Sequence, residues 1–189
     1  MGLFARAELY IAKLAWIPGI EMVAVVNSLS MYATHEDSDI DLFIITKADT
    51  LWLVRLLVTL TFWRHGVWRH GEDIAGNFCL SFFVTTDEMD MSHIALEQDI
   101  YLYNWIYYLK PIFTRGDIYE RFLQANSWIH MDEKQKQENK RFEIQDISSV
   151  MVAKKSYYLL SISYYLNYLI RFFWLPKTLR SHARLRRPE

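Results

Sequence analysis

Residues 25–46, VVNSLSMYATHEDSDIDLFIIT, hold an apolar run, a small polar turn, and two aspartates one residue apart that lead into a second apolar run. Short β-branched apolar runs bounded by polar turn residues read as buried strands. A first strand is therefore expected over 21–27 (EMVAVVN), a polar connection over 28–37 and a second strand over 38–46 (SDIDLFIIT). Strand alternation puts Asp39, Asp41, Phe43 and Ile45 on one face and Ile40, Leu42 and Ile44 on the other. The two carboxylates would stand about 6–7 Å apart at the Cα level. Near a core, like charges repel and resist desolvation, so one must be protonated or a cation must lie between them. Converging hard oxygen ligands suit Mg²⁺, which usually takes one or two carboxylates and completes its octahedron with water and substrate phosphates. The plain alternative is a strand end emerging into solvent, where aspartates are ordinary turn and cap residues.

Outward from this stretch, residues 3–16 have the spacing of an amphipathic helix that stops at Pro18-Gly19. Length and the absence of breakers predict a helix over 49–65, three glycines predict a loop over 66–76, and 77–85 (NFCLSFFVT) returns to strand character. A helix is expected over 86–109, opening on a threonine and acids and running into IYLYNWIYYL until Pro111 ends it. PIFT suits a short strand, and 117–128 suits another amphipathic helix. These elements predict an α/β core over 1–128, a short mixed sheet with helices packed on it. In 132–146, DEKQKQENKRFEIQD, nine of fifteen residues are charged, so 129–147 reads as a charged linker or a solvated helix. Residues 148–189 read as a helical extension with a basic tail.

The chain has 189 residues, enough for one domain with an appended piece, and 52% hydrophobic residues exclude intrinsic disorder as its overall state. A net charge of -1 gives no overall nucleic-acid signature. Six bases against Glu189 alone in 171–189 suit the tail to an acidic partner, RNA or a membrane surface, with a solvated end as the plain alternative. The uncharged run 156–170 is about 22 Å of helix, short of the ~30 Å hydrocarbon core, which favours core packing, a homodimer interface or a helical partner through 148–174 over a membrane span. A lone cysteine, Cys79, excludes an internal disulfide and points to a reducing compartment. It reads as an apolar filler of its strand. The N-terminus lacks the apolar core and small-residue cleavage site of a signal peptide, so cytoplasm is the expected location. The six histidines show no zinc-ligand spacing, which argues against a structural zinc site. Trp-Arg-His-Gly occurs at 63–66 and again at 68–71, and suits either an anion-binding, base-stacking loop or a packed and capped one.

At 27–30, NSLS closes the first strand with the small polar residues expected where backbone N–H groups and a serine hydroxyl meet an anion. This order of strand, serine turn and SDIDLFII resembles the signature of the polymerase-beta-type nucleotidyltransferases. In that superfamily a Gly-Ser follows the first strand and an Asp-x-Asp lies on the second about ten residues later. The resemblance covers 20–46 well and extends weakly to about 128. It implies Asp39 and Asp41 as catalytic Mg²⁺ ligands, and Asn27, Ser28 and Ser38 as residues that bind a nucleoside triphosphate. It implies transfer of a nucleoside monophosphate to a hydroxyl on a small molecule, protein or RNA. Arg55, Arg64, Arg69 and His70 are candidates for charge on the triphosphate. Two departures stand out: Asn27 replaces the family's glycine, and the strand over 77–85 lacks the third carboxylate that active members usually carry. Glu72, Asp73 and Asp87 flank that strand as displaced candidates. The alternative is a catalytically degenerate nucleotidyltransferase-like binding or regulatory protein, one half of a toxin–antitoxin-like pair.

Overall fold

The computed structural model describes residues 2–71 and 74–144. Along the chain run α1 (Leu3–Ala12), β1 (Ile20–Val26), the short α2 (Asn27–Ser30), β2 (Ile40–Thr46), α3 (Leu51–Arg64), β3 (Phe78–Thr85), α4 (Ile100–Tyr107), β4 (Lys110–Thr114), α5 (Ile118–Ala125) and α6 (Glu133–Lys140). The four strands form one mixed sheet in the order β3-β2-β1-β4. β1 is antiparallel to both β2 and β4, whereas β2 and β3 are parallel. A parallel pair needs a crossover, and α3 supplies it.

Alternation along β1 and β2 feeds two cores. Val23, Val25, Ile40, Leu42 and Ile44 face Ala7 and Ile11 of α1 and Val54, Val58 and Phe62 of α3. Met22, Ala24, Val26, Phe43 and Ile45 face Leu102, Trp105 and Ile106 of α4 and Ile118, Tyr119 and Phe122 of α5. The sheet is thus sandwiched between helices and buried on both sides, which explains why β2 reads as a nearly continuous apolar run. On the second side Phe43 packs against Phe122 at 5.2 Å and Phe82 at 5.9 Å between ring centroids.

The mixed α/β class holds, and several boundaries move. α1 ends at Ala12, after which tight turns (Leu14 N to Ile11 O, Ile17 N to Leu14 O) bury Leu14, Ala15 and Ile17 before β1. The expected helix over 86–109 begins only at Ile100. Met89 and Met91 are both buried with exposed Asp90 between them, and one 3-10 turn over Ser92–Ile94 follows in place of the α-helix. Asn126 ties it down, accepting from Met91 N and donating to Met89 O. Asp99 then caps α4 by accepting from Leu102 N at 2.9 Å. β3 does not alternate evenly between the two sides: Phe78, Leu80 and Phe83 pack in the first core while Phe82 and Val84 join the second. The cause is a register shift, since β2 advances two residues from Asp41 to Phe43 while β3 advances three from Cys79 to Phe82.

Within the charged stretch, α6 is a helix capped by Asp132, which accepts from Gln135 N at 2.7 Å. One side of it is anchored: Asn139 is fully buried and donates to Tyr107 O at 2.8 Å and to Tyr119 Oη at 3.3 Å. The helix expected over 148–174, the basic tail and the candidates Glu72 and Asp73 lie outside the described residues.

Candidate metal and nucleotide site

Three chain segments meet at the head of β2. Asp41 is the residue whose ladder partners are Val26, the last residue of β1, and Cys79, near the start of β3. Its burial, at 8% exposure, is that of a core residue, and the sheet supplies donors for its charge. Asn27 Nδ2 donates to Asp41 Oδ2 at 2.8 Å, and Ser81 Oγ donates to Asp41 Oδ1 at 2.5 Å. The β3 register shift falls at Leu80 and Ser81, so the strand distortion accompanies the serine's approach to the carboxylate.

Asn27 begins α2 with φ 61°, in the left-handed region that asparagine tolerates better than most residues. Its carbonyl accepts from Ser30 Oγ at 2.8 Å and from Met31 N, closing the turn, while Ser28 is half-buried within it and its own carbonyl accepts from Ala33 N. Ser38 Oγ accepts from His35 N at 2.8 Å and so fixes the turn that delivers Asp39. Asp39 precedes β2 and pairs with Arg69, Nη1 to Oδ2 at 2.5 Å, with side-chain exposures of 16% for Asp39 and 40% for Arg69. The neighbouring carboxylate holds the Arg69 guanidinium still more firmly protonated. Burial pushes the Cys79 thiol up, and nearby Asp41 and Asp39 add to that direction. One oxygen each from Asp39 and Asp41 and the Cys79 sulfur lie within 4.8 Å of one another.

The two carboxylates therefore meet as their spacing predicts. The other expectations divide. Arg69 reaches the site. Arg55 instead lies over the Phe83 ring at 5.0 Å, where burial lowers its pKa, and Arg64 is exposed at the end of α3. His70 stacks on Trp68 and bonds the Trp68 carbonyl at 3.0 Å. The two Trp-Arg-His-Gly copies are not structurally equivalent: the first closes α3, while the second runs beside β3, with Arg69 N donating to Phe78 O. Cys79, expected as a core filler, stands half-buried beside the aspartates. No periodicity in the sequence pairs Cys79 with Asp41, because the match is set by the parallel register of two strands whose paired residues here lie 38 positions apart. Among the described residues no third carboxylate joins the pair.

The two carboxylates fit the one or two that Mg²⁺ usually takes, whereas a thiol is not among its usual ligands. Three of their four oxygens already accept from Asn27, Ser81 and Arg69. Separately, a groove of about 810 Å³ between α5 and α6, lined by Tyr119, Leu123, His130, Lys136 and others, shares no lining residue with this site. Among the described residues no helix is long and apolar enough to cross a membrane. Set against protein-family models, curated proteins and solved structures, the chain matches none of them.

Proposed function

We propose that the chain is a Mg²⁺-dependent nucleotidyltransferase of the polymerase-beta type, moving a nucleoside monophosphate from an NTP to an acceptor hydroxyl. The observation that carries this reading is the Asn27–Asp41 hydrogen bond, which joins the serine turn after β1 to the aspartate pair entering β2. In the reading Asp39 and Asp41 hold the ion. Ser28 and the backbone N–H groups of its turn face the triphosphate, and Ser38 positions Asp39. Arg69, exposed enough to swing from Asp39, pairs with phosphate. When bound, Mg²⁺ neutralises charge on the transferring phosphate. The acceptor oxygen bonds to the α-phosphorus, the bridge to pyrophosphate breaks, and the hydroxyl proton passes to solvent.

A second reading has an observation of its own. Cys79 and Ser81 occupy the β3 positions facing Asp41, so β3 brings no acid there. This favours a nucleotidyltransferase-like protein that binds Mg²⁺-nucleotide as a regulatory partner, in a toxin–antitoxin-like arrangement, without transferring anything. A homodimer or helical partner through 148–174, nucleic-acid contact through the basic tail and a cytoplasmic location complete the proposal.

Purified protein given Mg²⁺ and each α-labelled NTP, together with a lysate as acceptor source, separates the two. Transfer labels an acceptor, and Asp41→Asn lowers labelling at least about 100-fold, as loss of a charge-stabilising group does. Nucleotide binding without label supports the second reading. Equal labelling by wild type and Asp41→Asn sinks the first.

A further inference from the structure

We infer that Asp39, Asp41 and Cys79 also form a three-ligand site for a thiophilic divalent ion of the zinc class, with a fourth position open to water. The inference stands on the side-chain set itself and not on the nucleotidyltransferase reading, which assigns no role to Cys79. The argument begins with donor chemistry. A thiolate among carboxylates shifts preference away from Mg²⁺, which takes oxygen ligands, toward Zn²⁺ and its chemical relatives, which accept sulfur and oxygen together. Three protein ligands with an open fourth position is an arrangement that zinc adopts.

Geometry supplies the second step. With Zn–O of about 2.0–2.2 Å and Zn–S of about 2.3 Å, tetrahedral ligand atoms stand roughly 3.4–3.6 Å apart. The three atoms here already lie within 4.8 Å of one another. Closing the remainder takes at most about 1.4 Å of side-chain movement. The frame is otherwise fixed: Asp41 and Cys79 are ladder partners on adjacent strands, and the Ser38 turn holds Asp39. Asn27 and Ser81 orient Asp41 from outside the ligand set, as supporting partners do around metal-bound carboxylates. One competitor must leave, the Arg69 guanidinium on Asp39. Its exposure makes it a weak one.

Cys79 is the only cysteine in the sequence, so a sulfur signal from bound metal has one source. The test titrates the full-length protein, free of nucleotide and kept reduced by a phosphine, with Co²⁺. The expected result is a sulfur-to-cobalt charge-transfer band in the near ultraviolet that saturates at one ion per chain and is abolished by Zn²⁺ but not by equal Mg²⁺. Cys79→Ser should lose the band and weaken Zn²⁺ binding at least about 100-fold, the upper end of what losing even a supporting partner costs. Asp39→Asn, which leaves the thiol in place, should weaken Zn²⁺ binding as well. The inference is overturned by Co²⁺ binding without the band, by a band saturating at half an ion per chain, or by equal displacement with Mg²⁺. Because no nucleotide is present, a charge-transfer band with no NTP labelling refutes the transferase reading alone, and labelling without the band refutes this one alone.

Discussion

Asn27 serves the site twice, through its backbone and through its side chain. Its φ of 61° turns the chain out of β1, and its Nδ2 donates to the Asp41 carboxylate. Alanine there loses a hydrogen bond to a charged group and keeps a left-handed strain, together worth about 2 kcal/mol. Glycine loses only the bond, because it adopts that conformation freely. Urea denaturation should therefore rank wild type above Asn27→Gly and Asn27→Gly above Asn27→Ala, and an alanine variant as stable as the glycine one would remove the backbone half of this account. The aspartate pair was legible from spacing alone, because one residue between two aspartates on a strand puts both on one side. The partnership of Asp41 with Cys79 and Ser81 was not, since it needs a parallel register and a local slip that no single segment carries.

Among the elements, those fixed by local chemistry lie nearest the limits that their sequence predicts. β1, β2, α3 and β3 each lie within two residues of their expected limits. The entry to β1 shows why its boundary is sharp. Gly19 sits at φ 89°, and a Cβ there would meet Thr50 Oγ1 at 2.6 Å and Thr50 Cβ at 2.9 Å. Thr50 is itself held, its hydroxyl donating to Lys47 O at 2.8 Å just before α3. Gly19→Ala combines overpacking with backbone strain, and should destabilise by about 2–3 kcal/mol in thermal or chemical unfolding. An unchanged midpoint would show that the Gly19–Thr50 contact yields. Adding Thr50→Ser, which removes the methyl but keeps the hydroxyl, should recover only part of the loss, because Oγ1 makes the shortest approach. Expectation failed most at 86–99, where Asp90 accepts from Ser92 N in a turn and only Asp99, the last acid, caps a helix. There the burial of Met89 and Met91 and the bonds from Asn126 outweigh local preference for helix.

For the molecule as a whole, the second core has a titratable group at its margin. Tyr119 is buried among Phe122, Ile118 and the rest of that cluster, and burial pushes its phenol up to about 12. The phenol of an unfolded chain ionises near pH 10. Below that both states keep the proton and the stabilising effect of burial is fully present. Above it the unfolded chain ionises first, so stability falls as pH rises from about 10 toward about 12, by roughly 2–3 kcal/mol for a two-unit difference. Denaturation series at pH 8 and pH 11 should show a smaller loss for Tyr119→Phe than for wild type, with Asn139 still held by the Tyr107 carbonyl. Parallel losses in the two proteins would show that Tyr119 is not the group responsible. At this scale hydrophobic period and turn chemistry, which are local properties of the chain, suffice for the class of fold, the order of its elements and the meeting of Asp39 with Asp41. That Cys79, Ser81, Asn27 and Arg69 surround the pair is legible only in three dimensions, because their approach depends on strand pairing and on a loop laid along β3. Those contacts join residues 14 to 40 positions apart.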